Sequence, residues 1–283
     1  MDEIARVGIL GSGIMGAGLA EVAARAGYQV VVRSRSLDAA SEMTATIDKG
    51  FAKAIERGKS TEDERAAVLA RISITDQLED LADCDLVIES VIEDLGVKQG
   101  LFAELDRVVK PAAILATNTS TLPVIELATA TKRPEQVCGI HFFNPAPLMT
   151  LVEVVRPLTA SDTTIATAVA FAASCGKDVV ETQDHSGFIV NALLFPYLNN
   201  AVRMMERGTA PMEGIDIAMR GGCNFPMGPF ALLDLVGLDT TVAILDALHA
   251  EFGEAHYAAA PTLRKMVADG HLGRKTKRGF YTY

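Results

Sequence analysis

Short runs of β-branched and other apolar residues alternate with stretches of helical periodicity from the start of the chain. The strand-like runs are Val7 to Leu10, Val30 to Val32, Leu86 to Ile88, Ile114 to Ala116, Gly139 to Phe142 and Leu151 to Val155. Between the first two, Ile14, Leu19, Val22 and Ala23 recur at helical spacing and Gly27 closes the helix. A long helical stretch then spans Leu37 to Gly58, and Thr61-Glu62-Asp63-Glu64 reads as a capping box that opens another helix. This alternation predicts crossover units on a mostly parallel sheet. The strand signal ends after Asp178-Val179-Val180. From Ser186 onward only helical periodicity appears, broken by Gly208, Gly221-Gly222 and Met227-Gly228-Pro229. The expected fold is therefore α/β, with a Rossmann-type dinucleotide-binding domain over residues 1–185 and an all-α domain over residues 186–283.

Composition narrows the class. The 283 residues suffice for two domains, and 49% hydrophobic with 22% charged residues is the balance of a folded globular chain. A net charge of −10 argues against a protein that works by neutralising nucleic-acid phosphates, so any anion must meet a local pocket. Cys84, Cys138, Cys175 and Cys223 are widely spaced with no Cys-x-x-Cys, so neither zinc nor a disulfide framework is indicated and buried free thiols are expected. The most apolar segment, Ile165 to Cys175, is bounded by Asp162 and Lys177 and is too short for a membrane span; it reads as a packed helix. The opening Met-Asp-Glu lacks the layout of a signal peptide. A cytoplasmic protein with reduced thiols, with no membrane or nucleic-acid partner, is expected.

Gly11-Ser12-Gly13-Ile14-Met15-Gly16 lies directly after a strand and before a helix. In that context Gly11 permits a tight turn, Gly13 lets a pyrophosphate reach the backbone, and Gly16 lets the helix pack closely on the strand. An NAD site carries an acid at the end of the second strand to bind the adenine ribose hydroxyls. Here that stretch is Val32-Arg33-Ser34-Arg35-Ser36, with no acid before Asp38. Two guanidinium groups beside a small hydroxyl suit a 2′-phosphate, so NADP(H) is expected, with NAD(H) bound through Asp38 as the alternative.

Three further stretches place polar residues at strand ends: Asn118-Thr119-Ser120, His141-Phe142-Phe143-Asn144-Pro145 and Leu151-Val152-Glu153. A histidine can take a hydroxyl proton as hydride leaves, and a carboxylate on its other nitrogen would fix the tautomer and favour the cation. His141 and Glu153, twelve residues apart across a turn with two prolines, can meet on neighbouring strands. Each alone also reads as an ordinary hydrogen-bonded or paired residue.

These stretches, with Val87-Ile88-Glu89, Gly187-Phe188-Ile189-Val190-Asn191, Pro226-Met227-Gly228-Pro229, Gly237-Leu238-Asp239, Gly273-Arg274-Lys275-Thr276 and Gly279-Phe280-Tyr281, give the chain a resemblance along nearly its whole length. It resembles the 3-hydroxyacyl-CoA dehydrogenase family, in particular its short bacterial 3-hydroxybutyryl-CoA branch. The resemblance implies reversible oxidation of an (S)-3-hydroxyacyl-CoA. In it His141 matches the catalytic base, Glu153 its orienting carboxylate, and Ser120 and Asn191 the residues that hold the substrate oxygens. Glu93, Lys98, Asn144 and Lys275 match positions that contact the cofactor, with Lys275 reaching over from the tail. The family's helical domain implies a homodimer.

Two positions depart from the family pattern. Ser34 replaces the usual acid, which agrees with the NADP(H) expectation, and His185 replaces a frequent proline and reads as a loop histidine. The CoA phosphates need cations, for which Arg57, flanked by Lys53 and Lys59, is the candidate substrate-binding residue. Two other functions stay open at this point: a catalytically idle dinucleotide-binding or structural member of the family, and a dehydrogenase of a free hydroxy acid.

Overall fold

A computed structural model describes residues 4–283; the opening Met-Asp-Glu lies outside the described residues. By its contacts the chain divides into two compact units, one up to Asp184 and one from His185 to Tyr283.

The first unit is built on one eight-stranded sheet. In chain order it contains β1 (Arg6–Leu10), α1 (Ile14–Arg25), β2 (Gln29–Arg33), α2 (Leu37–Glu56), α3 (Glu62–Arg71), β3 (Ile72–Thr75), β4 (Leu86–Glu89), α4 (Leu95–Val108), β5 (Ile114–Thr117), α5 (Val124–Ala128), β6 (Val137–Phe142), β7 (Leu151–Arg156), α6 (Asp162–Ser174) and β8 (Asp178–Gln183). The strand order is β3-β2-β1-β4-β5-β6-β7-β8. All pairings are parallel except β6 with β7. The central strands β4 and β5 are buried along their whole length, as strands covered on both faces must be. The sheet order reverses direction at β1, which lies between β2 and β4. In open α/β sheets such a reversal leaves a crevice beyond the carboxyl ends of the strands.

Local sequence explains the helices that cover the sheet. α1 buries Gly16, Gly18, Leu19, Ala20, Val22, Ala23 and Ala24, a mostly small-residue stripe that lets it lie close to the sheet. Ser36 caps α2 by accepting from Ala39 N, and Thr61 caps α3 by accepting from Glu64 N. The expected box at Thr61 is half formed: the Glu64 carboxylate accepts from the Ser60 hydroxyl and pairs with Arg25. The alanine-rich segment forms α6 and packs Ile165, Ala168, Phe171 and Ala172 inward.

The second unit consists of α7 (Val190–Glu206), α8 (Met212–Cys223), α9 (Pro229–Val236), α10 (Leu238–Phe252) and α11 (Pro261–Ala268) around Phe195, Leu198, Phe230, Leu233, Leu245, Leu248 and Leu263. Three buried polar side chains lock it. Asn199 donates to the carbonyls of His256 and Ala258 and accepts from Ala260 N. Asp216 caps α9 through Phe230 N and Ala231 N and accepts from the Tyr281 hydroxyl. Asp234 accepts from Phe280 N, Tyr281 N and the Tyr283 hydroxyl. The Gly279-Phe280-Tyr281 motif is thus a structural clasp. A Cβ on Gly279 would fall 2.0 Å from Asp234 Oδ1, so no larger residue fits there.

Three sequence expectations are corrected. β3 is an additional strand, continuous with α3 and placed at the sheet edge. β8 runs three residues beyond Val180, because every residue from Asp178 to Gln183 finds a partner on β7. Of the four free cysteines only Cys84 and Cys138 are buried; Cys223, at the end of α8, is exposed. Burial pushes the Cys84 thiol up to about 11 and the Cys138 thiol up to about 12, so both are inert at neutral pH.

Candidate active site

The glycine loop closes the crevice beside β1. Gly11 has φ +121°, and a Cβ there would meet Ser90 O at 2.3 Å; a Cβ on Gly16 would meet Gly11 O at 2.0 Å. Both glycines are therefore dictated by backbone contact. Gly13 differs, since a Cβ there would meet nothing within 4 Å. It serves as the N-cap of α1 with no side-chain cap and no acid in the first turn. Open space before uncapped helix N–H groups is what a pyrophosphate requires.

The end of β2 is tied to this loop: Gly11 N donates to Arg33 O at 2.9 Å, and the Ser12 and Ser34 hydroxyls lie 2.7 Å apart. Ser34 is buried, and Arg33 Nε is buried with no hydrogen-bond partner. An orphaned buried guanidinium nitrogen is costly unless a ligand completes it. Arg35 is exposed next to it. The residues present fit a dinucleotide.

The second constellation assembles at the ends of β4, β5 and β6. β6 and β7 are antiparallel with His141 paired directly to Glu153. His141 Nδ1 lies 2.7 Å from Glu153 Oε2, and both residues are buried. His141 Nε2 lies 3.1 Å from Ser120 Oγ. The sequence bracketed this relation; the strand register supplies it. Glu153 accepts the Nδ1 proton, which leaves Nε2 as the basic nitrogen, and its charge offsets the one the ring gains on taking a proton. The Phe143 ring packs on the imidazole with centroids 4.5 Å apart. Asn118 Oδ1 accepts from Phe142 N at 2.9 Å, extending the β5–β6 ladder beyond its last paired residues, Thr117 and Gly139.

Ser120 is held by its backbone. Glu93 Oε1 accepts from the Thr119 hydroxyl and from Ser120 N at 2.9 Å. Glu93 Oε2 lies 3.2 Å from Lys98 Nζ. Burial works against ionisation of Glu93, but Lys98 and the donors of Thr119 and Ser120 outweigh it and hold the carboxyl below its ordinary range. Lys98 is itself buried, with its ammonium 2.7 and 2.8 Å from the two oxygens of Glu89. Sequence reasoning quoted Glu89 within a motif but gave it no role.

The remaining candidates are Asn144 and Arg57 in the first unit and Asn191, Lys275 and His185 in the second. Asn144 is exposed on the connection from β6 to β7. Arg57 is the exposed C-cap of α2. Asn191 is buried on the first turn of α7 in the second unit. Lys275, also in the second unit, pairs with Asp239 at 2.5 Å. His185 is exposed, with Nδ1 3.8 Å from Glu251 Oε1. Among the described residues no group of three or more His, Cys, Asp or Glu is clustered to hold a metal ion, and no helix is long and apolar enough to cross a membrane.

Known proteins similar to this chain are numerous. Residues 6–185 match the family model of the 3-hydroxyacyl-CoA dehydrogenase NAD binding domain, and residues 187–283 match that of the 3-hydroxyacyl-CoA dehydrogenase C-terminal domain. The chain is 49% identical to a 3-hydroxybutyryl-CoA dehydrogenase of Mycobacterium tuberculosis over all of this chain and 99% of that protein. It is 44% identical to one of Clostridioides difficile over 98% of this chain and 99% of the other. The crystal structure of M. tuberculosis FadB2 superposes with a TM-score of 0.97 at 49% identity over the full length of both chains. That of (S)-3-hydroxybutyryl-CoA dehydrogenase from Ralstonia eutropha does so with 0.96 at 40% identity over 99% of each chain. With both family models matched in order and relatives aligned from end to end, the chain belongs to the 3-hydroxyacyl-CoA dehydrogenase family, and its first unit is that family's nicotinamide-dinucleotide-binding domain.

Proposed function

We propose that the protein is an NADP(H)-linked (S)-3-hydroxybutyryl-CoA dehydrogenase. The observation that carries this reading is the line Glu153–His141–Ser120, with a carboxylate 2.7 Å from one ring nitrogen and a hydroxyl 3.1 Å from the other. Bound at the glycine loop, the dinucleotide supplies the hydride acceptor or donor. In oxidation, His141 Nε2 takes the proton of the 3-hydroxyl group while hydride leaves the same carbon; in reduction it returns that proton to the forming alkoxide. Glu153 keeps Nδ1 protonated and stabilises the imidazolium formed. By the family resemblance, Ser120 and Asn191 match the positions that hold the substrate oxygens, and Glu93, Lys98, Asn144 and Lys275 those that contact the cofactor.

The preference for NADP(H) is supported by the end of β2. No acid lies between Arg33 and Leu37, Ser34 is small, and Arg33 offers a buried nitrogen without a partner. A 2′-phosphate would accept charge-assisted bonds from Arg33 and Arg35. Arg57, with Lys53 and Lys59, is our candidate for the CoA phosphates. The exposed Leu193, Ile217, Phe225 and Leu235 of the second unit support its use as a homodimer face, and free thiols support a cytoplasmic setting.

The deciding experiment follows absorbance of the reduced nicotinamide with acetoacetyl-CoA, and the reverse reaction with 3-hydroxybutyryl-CoA and with free 3-hydroxybutyrate. Turnover of the CoA thioesters with NADPH at a higher kcat/KM than with NADH is expected. Turnover of the free acid alone, or of neither, overturns the reading.

A further inference from the structure

Glu89 ends β4 with no exposure to solvent, and every direction from its carboxylate is occupied. Oε1 accepts from Lys98 Nζ at 2.7 Å and Val91 N at 2.6 Å; Oε2 accepts from Lys98 Nζ at 2.8 Å and the Thr117 hydroxyl at 2.7 Å. A fully buried ion pair is a poor way to stabilise a sheet, because desolvating both charges offsets most of their attraction and apolar residues of similar volume do as well. Its value lies in what it fixes.

Two routes run from Glu89 to the reacting histidine. Through the ladder, Glu89 pairs with Thr117 on β5, and Glu89 O accepts from Asn118 N at 2.8 Å, so the start of the segment carrying Ser120 is gripped directly. Through charge, Lys98 bridges Glu89 to Glu93, and Glu93 holds Thr119 and Ser120. Both routes end on Ser120, whose hydroxyl meets His141 Nε2.

We propose that Glu89 is a positioning residue for proton transfer: by immobilising Lys98 and Thr117 it sets where the Thr117 to Ser120 segment presents the Ser120 hydroxyl to His141. This deepens the dehydrogenase reading and rests on it. Neutralising Glu89 leaves Lys98 with Glu93 as its remaining carboxylate. Glu93 is then drawn toward the ammonium and away from Ser120 N, and the hydroxyl loses its seat.

The test is a double-mutant cycle in kcat for acetoacetyl-CoA reduction, with Glu89→Gln and Ser120→Ala made singly and together. Melting temperature and dinucleotide Kd are recorded for each protein. In the wild-type background Glu89→Gln lowers kcat, measured at saturating dinucleotide, about tenfold or more, with KM for acetoacetyl-CoA within about threefold. In the Ser120→Ala background the same change costs less than about threefold, because the group it positions is gone. Multiplicative losses, an unchanged kcat, or a loss confined to KM or Kd overturn the inference. Should Glu89→Gln fail to fold, Thr117→Val removes one donor from the same carboxylate without a charge change, together with the acceptor of Thr119 N, and must show the same non-additivity with Ser120→Ala at smaller amplitude, while Thr117→Ser, which keeps both bonds, must stay near wild type. Failure of the wild type to turn over either CoA thioester sinks the dehydrogenase reading instead, so the two failures are distinct.

Discussion

His141 and Glu153 stand directly opposite one another on antiparallel strands β6 and β7, and their side chains meet at 2.7 Å in a buried site. Strand pairing of this kind fixes two side chains on one face without any loop to place them, so the histidine's tautomer is set by the fold.

That register makes the proton-transfer role testable by substitution. His141→Asn removes the base and is expected to lower kcat about 10²–10⁴-fold. Glu153→Gln keeps the shape but permits the wrong tautomer, and a loss of about a hundredfold or more is expected. Dinucleotide Kd, measured by quenching or calorimetry, should stay near wild type in both. Full turnover in either variant, or a collapse of dinucleotide binding, would contradict the assignment.

The proposed preference for NADP(H) is testable at Ser34. Its hydroxyl lies 2.7 Å from that of Ser12, and it stands at the end of β2, the sequence position at which an NAD site carries its acid. Ser34→Asp is expected to raise KM for NADPH through repulsion of the 2′-phosphate and to lower that for NADH. If the proposed 2′-phosphate is read here, Arg33→Ala and Arg35→Ala would each remove one charge-assisted contact to it, worth about 1.5–3 kcal/mol or roughly ten- to hundredfold in NADPH affinity. Equal effects of these changes on NADPH and NADH would show that no 2′-phosphate is read here.

What the chain disclosed in advance follows from the range of the interactions involved. β1, β4 and β5 are buried on both faces and declare themselves as apolar runs, and the glycine loop shows as a short motif between strand and helix, although only Gly16 answers a contact within the loop, to Gly11 O, while Gly11 answers Ser90 O on the chain after β4. β3 escaped notice because Ile72-Ser73-Ile74-Thr75 follows α3 with no glycine or proline between them and spans four residues. The roles of Glu89, Asp216, Asp234 and Asn199 were illegible for another reason. Each satisfies backbone or side-chain groups that are distant in sequence, so only the assembled fold reveals what a buried polar residue is bonded to. The His141–Glu153 relation fell between these cases. Two prolines announced the turn, but the register across it belongs to the sheet.

The start of the sheet carries a pH-dependent fastening. Asp85 Oδ2 accepts from Ala5 N and Arg6 N at 2.9 and 2.8 Å, and Oδ1 pairs with Lys110. Burial opposes ionisation of Asp85, but Lys110 and the two backbone donors prevail and hold its carboxyl below 3.8. A depressed carboxylate contributes stability above its unfolded value and loses it as pH falls through the folded one. Asp85→Asn is therefore expected to lower the urea midpoint at pH 7, by about 1–3 kcal/mol in unfolding free energy. The gap to wild type should close as pH drops below 3.8. A gap that is constant across that range would assign the loss to packing.

In the second unit, Asp234 fastens the tail by pairing each carboxylate oxygen with donors alone: Phe280 N on Oδ1, and Tyr281 N with the Tyr283 hydroxyl on Oδ2. Asp234→Asn cannot reproduce this, because in either orientation its amide NH₂ faces a backbone N–H. The cost should reach about 1–3 kcal/mol, since a buried donor is left unsatisfied. Gly279→Ala should be at least as damaging, for its Cβ would fall 2.0 Å from Asp234 Oδ1. Tyr283→Phe removes the hydroxyl's bond to Asp234 and its interaction with Arg274 and should cost about 0.5–1.5 kcal/mol. Melting temperature should rank the three in that sense, and trypsin should cut after Lys277 or Arg278 faster in the first two than in wild type. Unchanged melting and cleavage in Asp234→Asn would mean that the tail is held by Phe230 packing on Phe280, whose rings lie 4.8 Å apart, and not by the carboxylate.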